Sequence, residues 1–425
     1  MQAYYHPDLT QFKHDRFGMF IHWGIYAMYG TNEWCRVYSR VSEEEYQYMI
    51  EHFQPDLFDP AEWARRARAA GMKYVIFTTK HHDGFCMWDT RFTDYKVTNT
   101  PYGRDVLRQI VDAFRAEGIR IGLYYSITDW HHPHYKISPN SPQAALPQEE
   151  QERLNALRDN RIYNEYVRNQ VTELLTGYGE ITELWFDISF QQGAESNEAE
   201  KLVALVRQLQ PEIILNQRHG LKGAHDIVTP ENYLRERDCL DENGHPTAWE
   251  GCHCFGASWG YNRDELSYLK SPVEFLYILI TQTSLNGNTL FNIGPSARGC
   301  IDEHEEQCLD LLAKWMRYHS RSIYGCGAAP KDFPEPRDCR YTYNPETNRL
   351  YVHIMRWQRM LFLPNMKGRI RYAQTLHDGA FVRIEESTEN RTGDPNPRIP
   401  EGYAALIFLD QPRGTVIPVV ELFLR

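Results

Sequence analysis

A carboxylate ends one short apolar segment of this 425-residue chain. The segment is Glu183-Leu-Trp-Phe-Asp187, and its apolar centre predicts a buried β-strand. An ionised Asp is costly to bury unless it is paired or takes part in chemistry. In a βα barrel the carboxyl ends of the strands form the active-site face, so Asp187 is a candidate catalytic group. The alternative is that Asp187 caps the following helix, because Asp is a favoured N-cap residue.

Polar and aromatic side chains also lie at or near the ends of the predicted strands, and Glu250 stands where the seventh strand begins. In chain order they are His22, Trp23, Glu33, Trp34, His81, His82, Asp83, Tyr125, Asp129, Trp130, His131, His132, Trp185, Arg218, His219, Glu231, Glu250, Phe255 and Trp259. Charged groups bind hydroxyls and aromatic faces cover apolar C–H patches. The set therefore predicts a site for a small polyhydroxylated ligand.

Taken singly, several of these residues have other interpretations. The segments His81-His82-Asp83 and His131-His132 are candidate metal ligands. Neighbouring residues of a strand point to opposite sides, however, so only one His of each pair easily faces a shared metal. His22 and Trp185 fit a core, and Arg218 fits a surface salt bridge. Only their joint arrangement at the strand ends favours a functional site.

Eight apolar segments alternate with helical patterns between residues 15 and 325. The predicted strands are Phe17–Trp23, Lys73–Thr79, Ile119–Ser126, Glu183–Asp187, Glu212–Gln217, His225–Thr229, Trp249–Phe255 and Asn288–Ile293. Helices are predicted over Ala61–Ala70, Arg104–Glu117 and Tyr163–Tyr178. The alternation predicts an α/β fold, a (β/α)8 TIM-like barrel. The alternative is a doubly wound sheet, but no Gly-rich dinucleotide fingerprint follows an early strand.

The sequence pattern changes after residue 328. Pro330, Pro334 and Pro336 predict a linker, and the alternating or strand-like segments beyond it show no helical period. We therefore predict a catalytic barrel over residues 1–328 and a small C-terminal antiparallel β-sandwich over 329–425. The polar stretch Ile137–Asn160 is predicted to be a flexible loop over the barrel mouth.

Composition limits the classes of partner. The net charge of −11 makes nucleic acid and anionic membranes poor partners, and no apolar window is long enough to span a bilayer. The N-terminal residues lack the basic and apolar regions of a secretory signal. The nine Cys residues form no C-x-x-C pair, which predicts reduced thiols and a cytoplasmic setting. The sequence is compatible with either a monomer or an oligomer.

Short motifs in the same order along the barrel are similar to those of one enzyme family. They are Phe17–Gly24, Asn32–Trp34, Lys80–Phe85, Asn99–Pro101, Gly122–Ser126, Asp129–Pro133, Leu184–Asp187, Thr229–Glu231, Trp249–Glu250, Ser258–Tyr261, Gly287–Asn288 and Asn292–Pro295. With these motifs the chain resembles the α-L-fucosidases of glycoside hydrolase family twenty-nine. The block Lys80-His-His-Asp-Gly-Phe85 is the most specific of them.

The resemblance implies a retaining, exo-acting hydrolase that removes terminal α-L-fucose from fucosylated oligosaccharides or glycoconjugates. Asp187 matches the position of the family's nucleophile. Glu231 matches the acid/base used by several members and is the preferred candidate, and Glu250 is the alternative. The residues that match fucose-binding positions are His22, Glu33, Trp34, His81, His82, Tyr125, Trp185 and Arg218, and Phe255 and Trp259 are further candidates from the strand ends. The resemblance implies no metal and no other cofactor.

The chain departs from the family pattern at two places. Ile188-Ser189-Phe190 follows Asp187 where the family usually has Gly, and Gln217-Arg218-His219 replaces the frequent Asp-Arg-Trp. Both departures concern the subsites beyond the fucose, so they leave the linkage and the leaving group open. Two other functions fit many of the same residues: a fucose-binding protein without catalysis, and a metal-dependent barrel hydrolase.

Overall fold

A computed structural model describes residues 4–187, 193–240, 244–256, 258–264, 269–386 and 399–425. Its helices are α1 (Thr10–Asp15), α2 (Cys35–Tyr38), α3 (Glu43–His52), α4 (Pro60–Ala69), α5 (Val106–Ala116), α6 (Gln148–Ala156), α7 (Asn160–Gly177), α8 (Gly193–Ser196), α9 (Ala199–Leu209), α10 (Pro272–Ser284) and α11 (Glu303–His319). No helix within these ranges is long and apolar enough to cross a bilayer.

The strands fall into an N-terminal parallel set and a C-terminal antiparallel set. The first set is β1 (Phe17–Ile21), β2 (Tyr74–Lys80), β3 (Arg120–Ser126), β4 (Glu183–Asp187), β5 (Ile214–Leu215), β6 (Glu250–Cys254) and β7 (Asn288–Ile293). The second set is β8 (Cys339–Asn344), β9 (Arg349–Ile354), β10 (Met360–Leu363), β11 (Ile370–Thr375), β12 (Arg383–Glu386), β13 (Ala404–Ile407) and β14 (Val419–Leu424).

The parallel strands form a barrel. They pair in the order β5-β4-β3-β2-β1-β7-β6. The gap between β5 and β6 is closed by the segment 227–231, where Ile227 bridges Asn216 and Val228 bridges Trp249, both in parallel. The predicted strand His225–Thr229 is thus an extended segment with isolated bridges, not a regular strand. This segment takes the eighth place in the ring, so the predicted TIM-like barrel is confirmed.

Alternation along the strands separates two cores. Phe20 of β1, Tyr124 of β3 and Trp185 of β4 belong to a cluster inside the barrel. Ile21 and Tyr125 are the next residues of the same two strands β1 and β3, and they belong to the larger cluster beneath the surrounding helices. Both faces of these strands are buried, as is usual in parallel sheets.

The helices around the barrel begin at the residues that the sequence indicates. Asp59 starts α4 by accepting from the amides of Ala61 and Glu62 (2.9 and 3.0 Å). Pro60 takes the first helical position, where no backbone N–H is needed. The helix then buries Trp63 against the barrel, so its cap and its apolar face fix its place in the outer ring.

The C-terminal strands form a separate β-sandwich, as predicted. One sheet has the order β10-β13-β12 and the other β11-β14-β9-β8. They enclose their own apolar cluster, which includes Val352, Leu363, Leu406 and Leu422. The predicted domain boundary at residues 328/329 stays a prediction. Gly327, which lies before that boundary, pairs with Tyr343 of the sandwich.

The polar stretch Ile137–Asn160 contains more regular structure than the sequence predicts. It includes α6 and ends at the start of α7. Ile137 donates its backbone N–H to Asn155 (2.9 Å), and Gln151 donates its side-chain amide to the carbonyls of Ala144 and Leu146 (3.0 and 2.8 Å). A polar sequence predicts a flexible loop because it offers little to bury, but here the polar side chains themselves supply the hydrogen bonds that fold the stretch.

Candidate active site

A pocket opens at the carboxyl ends of the barrel strands and has a volume of ≈ 170 Å³. Its walls are formed by Phe20, His22, Trp34, His81, His82, Tyr124, Thr128, Asn140, Trp185, Asp187, Arg218, Glu231 and Trp259. The sequence predicts nine of these: His22, Trp34, His81, His82, Trp185, Asp187, Arg218, Glu231 and Trp259. The volume is below the usual range of sites for drug-sized ligands, so it suits one small molecule.

Asp187 is the best-supported carboxylate in the pocket. It ends β4, where the strand alternation turns its side chain inward together with Trp185. Its Oδ2 accepts a hydrogen bond from the Tyr124 hydroxyl (3.0 Å), and its Oδ1 accepts one from Arg218 (3.1 Å). The Nε2 atom of His82 lies 3.6 Å from Oδ2. Each carboxylate oxygen thus has its own donor, so the group has a defined orientation.

Arg218 joins the two carboxylates of the pocket. One terminal nitrogen bonds Asp187 and the other forms an ion pair with Glu231. The guanidinium also donates to the hydroxyl and the carbonyl of Thr229 (3.1 and 3.0 Å) and lies 4.5 Å from the centre of the Trp185 ring. It is therefore fixed on several sides, and its planar fork holds both carboxylates close together.

Glu231 is the last residue of the segment 227–231, which closes the barrel. Its side chain is 33% exposed and lines the pocket. Burial raises the pKa of the Glu231 carboxyl above its usual range, and Asp187 adds to this rise, while Arg218 opposes it. A carboxyl with a raised pKa is suited to carry a proton, which is the role of a general acid.

Glu250 lies away from the pocket. It begins β6, its side chain is fully buried, and it accepts a hydrogen bond from the hydroxyl of Tyr74 inside the barrel. Burial raises its pKa to about 8 and also raises the pKa of its neighbour Glu183. Glu250 is the first residue of its strand, whereas the pocket opens where the strands end. The side chain of Glu250 therefore lies at the opposite end of the barrel from the pocket. The alternative acid/base suggested by the sequence is therefore out of reach of a pocket ligand.

Three neutral histidines line one wall. His22 contacts the side-chain oxygen of Asn292 (2.6 Å), and His82 contacts the Ser126 hydroxyl (2.6 Å). The His81 ring stacks on Tyr124 with centroids 5.5 Å apart. Burial is the main cause that lowers the pKa of all three, that of His22 to about 3. Neutral imidazoles offer one donor and one acceptor each, which suits hydroxyl ligands.

Two predicted binding residues, Tyr125 and Phe255, lie outside the pocket. The Tyr125 hydroxyl donates to Gln170 beneath the helices (2.8 Å). Phe255 packs edge-on against Phe275, with centroids 4.7 Å apart. Tyr125 faces outward because it is one residue beyond the inward-facing Tyr124, and it is Tyr124 that lines the pocket.

Glu33 is next to the pocket but does not line it. Its carboxylate accepts hydrogen bonds from the backbone N–H of Gly260 (2.8 Å) and the hydroxyl of Ser258 (3.3 Å). These two residues flank Trp259, so Glu33 anchors the segment that carries the Trp259 ring to the pocket.

The other polar residues of the strand ends have structural partners. The ammonium of Lys80 is fully buried and bonds Asp129 (3.0 Å), which also accepts the backbone N–H groups of His131 and His132 (3.0 and 2.8 Å). His131 stacks on Tyr95 with centroids 3.6 Å apart. Within the described ranges no group of three or more His, Cys, Asp or Glu side chains is arranged to hold a metal ion.

Comparison with known proteins identifies the family. The family model described as "Alpha-L-fucosidase" matches residues 4–321. The chain belongs to the alpha-L-fucosidase family. It is 40% identical to alpha-L-fucosidase isoenzyme 1 from Paenibacillus thiaminolyticus, whose structure superimposes with a TM-score of 0.90 over 98% of each chain. It is also 27% identical to tissue alpha-L-fucosidase of Rattus norvegicus over 74% of this chain and 69% of that protein.

A further relative of this alpha-L-fucosidase was solved in a reacted form. The structure of a Bacteroides thetaiotaomicron alpha-L-fucosidase is described as a trapped covalent intermediate with 2-fluoro-fucosyl fluoride. It is 26% identical, with a TM-score of 0.81 over 100% of this chain and 98% of the relative. The present chain is thus a glycoside hydrolase of the alpha-L-fucosidase type, as the motifs predicted.

Four pocket residues of this alpha-L-fucosidase lie outside the predicted set: Phe20, Tyr124, Thr128 and Asn140. Tyr124 had no usable signal, because both faces of β3 are apolar and its pairing with Trp185 is visible only in the structure. Asn140 had no signal, because it comes from an irregular part of a polar connection. The departure at Ile188-Ser189-Phe190 lies outside the described residues.

Proposed function

We propose that this alpha-L-fucosidase is exo-acting. It releases terminal α-L-fucose from fucosylated oligosaccharides or glycoconjugates and retains the anomeric configuration. The proposal rests on one observation above all: Asp187 and Glu231 share the guanidinium of Arg218 in a pocket that fits one sugar. Retaining glycosidases keep their two carboxyls closer together than inverting ones, which must admit a water between them.

In the first step Asp187 acts as the nucleophile. One carboxylate oxygen attacks the anomeric carbon of fucose, and the bond from that carbon to the leaving-group oxygen breaks. Glu231, in its protonated form, gives its proton to the departing oxygen. The products of this step are the free leaving group and a fucosyl ester of Asp187. The contacts from Tyr124 and Arg218 orient the carboxylate for this attack.

In the second step water opens the ester. Glu231, now ionised, takes a proton from the water while its oxygen attacks the anomeric carbon, and the bond to Asp187 breaks. The raised pKa of Glu231 supports its first role as an acid. The position of Glu250, fully buried against Tyr74, argues against the alternative assignment.

The neutral histidines and the aromatic rings account for sugar binding. His22, His81 and His82 provide donors and acceptors for the fucose hydroxyls without placing a positive charge beside Asp187. Trp34 and Trp259 supply flat faces for the C–H groups and the methyl group of the sugar, while Trp185 packs against Arg218 in the pocket wall.

The best test joins covalent labelling with product stereochemistry. Incubation with 2-fluoro-α-L-fucosyl fluoride should add one fluorofucosyl group to the peptide that contains Asp187, detected by mass spectrometry. NMR of early hydrolysis should find α-L-fucose before the β-anomer. First-formed β-L-fucose, or a label on another residue, would overturn the proposed mechanism.

We also propose a reducing, cytoplasmic setting. All nine cysteines lie in the described ranges outside any disulfide, and eight of them are buried, which suits a compartment where thiols stay reduced. Cell fractionation with an antibody to the native protein tests this, and recovery of the protein only in an oxidising compartment would contradict it.

A further inference from the structure

A strongly exposed tyrosine adjoins the wall of the pocket. Tyr38 ends α2, and its side chain is 70% exposed. Its ring stacks on Trp34 with centroids 5.7 Å apart and an angle of 22° between the planes. Trp34 itself lines the pocket. One face of the tyrosine ring is thus covered by the indole and the other faces water, directly outside the sugar site.

A chain of contacts connects this aromatic pair with Asn140. The Trp34 ring packs edge-on against Trp130, with centroids 5.1 Å apart. Gln143 donates its side-chain amide to the backbone carbonyl of Trp130 (3.4 Å). Asn140 comes three residues before Gln143 in the same connection, and it lines the pocket while remaining exposed to solvent. The loops after β1 and β3 therefore bring Tyr38 and Asn140 to one sector of the rim.

The substrate must extend past this rim. A pocket of ≈ 170 Å³ is filled by one sugar ring, so the leaving group lies outside it. We propose that Tyr38 and Asn140 form the subsite for the first sugar ring of the leaving group. This inference rests on the proposed function and adds the residues that recognise what is attached to the fucose.

The chemistry of the two side chains fits a neutral pyranose. The open face of Tyr38 stacks on the apolar C–H face of a sugar ring, as aromatic platforms do in carbohydrate sites. The amide of Asn140 both donates and accepts hydrogen bonds, which matches a hydroxyl group. Neither group carries a charge, so the subsite favours an uncharged sugar over an acidic one.

The test compares two substrates in the full-length enzyme. α-L-Fucosyl fluoride has a leaving group without a ring, and a fucosyl disaccharide with a neutral pyranose has one. For Tyr38→Ala and for Asn140→Ala, kcat/KM on the disaccharide should fall by about tenfold more than kcat/KM on the fluoride. Tyr38→Trp keeps a stacking face, so it should retain most of the wild-type kcat/KM on the disaccharide.

Tyr48→Ala is the matched control. Tyr48 is 63% exposed and packs on His52 of its own helix, with centroids 4.2 Å apart. The Tyr48→Ala substitution should leave kcat/KM on both substrates unchanged. A second measurement uses the fluoride as donor and the free pyranose as acceptor, and the ratio of transfer to hydrolysis should fall in Tyr38→Ala.

The outcomes separate the two proposals. Equal losses on both substrates, or no change in either the disaccharide rate or the transfer ratio, would overturn the subsite while leaving the fucosidase mechanism intact. A wild-type enzyme that hydrolyses neither substrate would overturn the proposed function itself, and the subsite with it.

Discussion

The Tyr124 hydroxyl donates a hydrogen bond of 3.0 Å to Oδ2 of Asp187. The next residue, Tyr125, points to the other face of β3 and donates instead to Gln170 beneath the helices (2.8 Å). Two adjacent tyrosines of one strand thus contact different groups, Tyr124 the proposed nucleophile and Tyr125 a structural amide. They form a natural pair of a test position and its control.

Tyr124→Phe should slow the second chemical step most. In that step the Asp187 carboxylate is the leaving group, and a hydrogen bond to a charged group contributes about 1.5–3 kcal/mol. Loss of the bond should therefore lower kcat by roughly tenfold or more, since about 1.4 kcal/mol corresponds to a factor of ten. KM should fall as well, because the fucosyl-enzyme accumulates. Steady-state kinetics and mass spectrometry of the quenched reaction measure both effects.

Tyr125→Phe should leave kcat and KM of an aryl fucoside close to wild type. It removes one buried hydrogen bond, so a drop in stability of about 1 kcal/mol is expected instead. Equal kinetic damage in the two variants would mean that the Tyr124 contact has no special role.

Glu231→Ala should distinguish substrates by their leaving groups. Activated aryl fucosides need little proton transfer, whereas natural glycosides need a great deal, and general acid catalysis contributes roughly 10²–10⁴-fold. The variant should lose far more activity on natural glycosides, and azide should restore turnover of the aryl fucoside by attacking the fucosyl-enzyme. Glu250→Gln serves as the control. It should show neither the dependence on the leaving group nor the rescue by azide. If azide rescue appears only in Glu250→Gln, the acid/base assignment must be reversed.

The buried carboxyls of Glu183 and Glu250 should make stability depend on pH. Burial raises the pKa of Glu250 from 4.5 to about 8, so between these values the folded protein binds more protons than the unfolded chain. The free energy of unfolding should then decrease as pH rises from about 4.5 to about 8, by about 1.4 kcal/mol per pH unit for each extra proton.

Glu250→Gln should reduce that slope, because it removes one of the two titrating carboxyls. Urea unfolding at pH values from 5 to 8 measures it, and the exposed Glu44→Gln is the control for a lost charge. Parallel curves for wild type and Glu250→Gln would contradict a raised pKa of Glu250 in the folded protein.

Metal removal should not affect catalysis. The wall histidines have protein partners, such as Asn292 for His22 and Ser126 for His82, and the proposed double displacement needs only the carboxyls of Asp187 and Glu231. Activity on an aryl fucoside after extensive dialysis against a chelator should equal that of the untreated enzyme. Activity that is lost and then restored by a divalent ion would favour the metal-dependent hydrolase.

The sequence by itself determined the barrel and the position of its main carboxylate. Strand and helix patterns alternate regularly, and Asp187 follows an apolar strand, so its place on the active-site face follows from the fold class. The motifs around His22, His81 and Arg218 could be assigned to the same rim for the same reason. These features are local in sequence, which is why they could be predicted.

The tertiary structure decided the features that depend on which way a side chain faces and how deeply it lies. Both faces of a parallel strand are apolar, so the sequence pattern could not separate Tyr124 from Tyr125. Glu231 follows one predicted strand and Glu250 lies near the start of another, but the irregular segment 227–231 closes the barrel and brings only Glu231 to the pocket. Asn140 reaches the pocket through a connection that is folded by side-chain hydrogen bonds such as those of Asn155 and Gln143, and a polar sequence does not reveal which of these form.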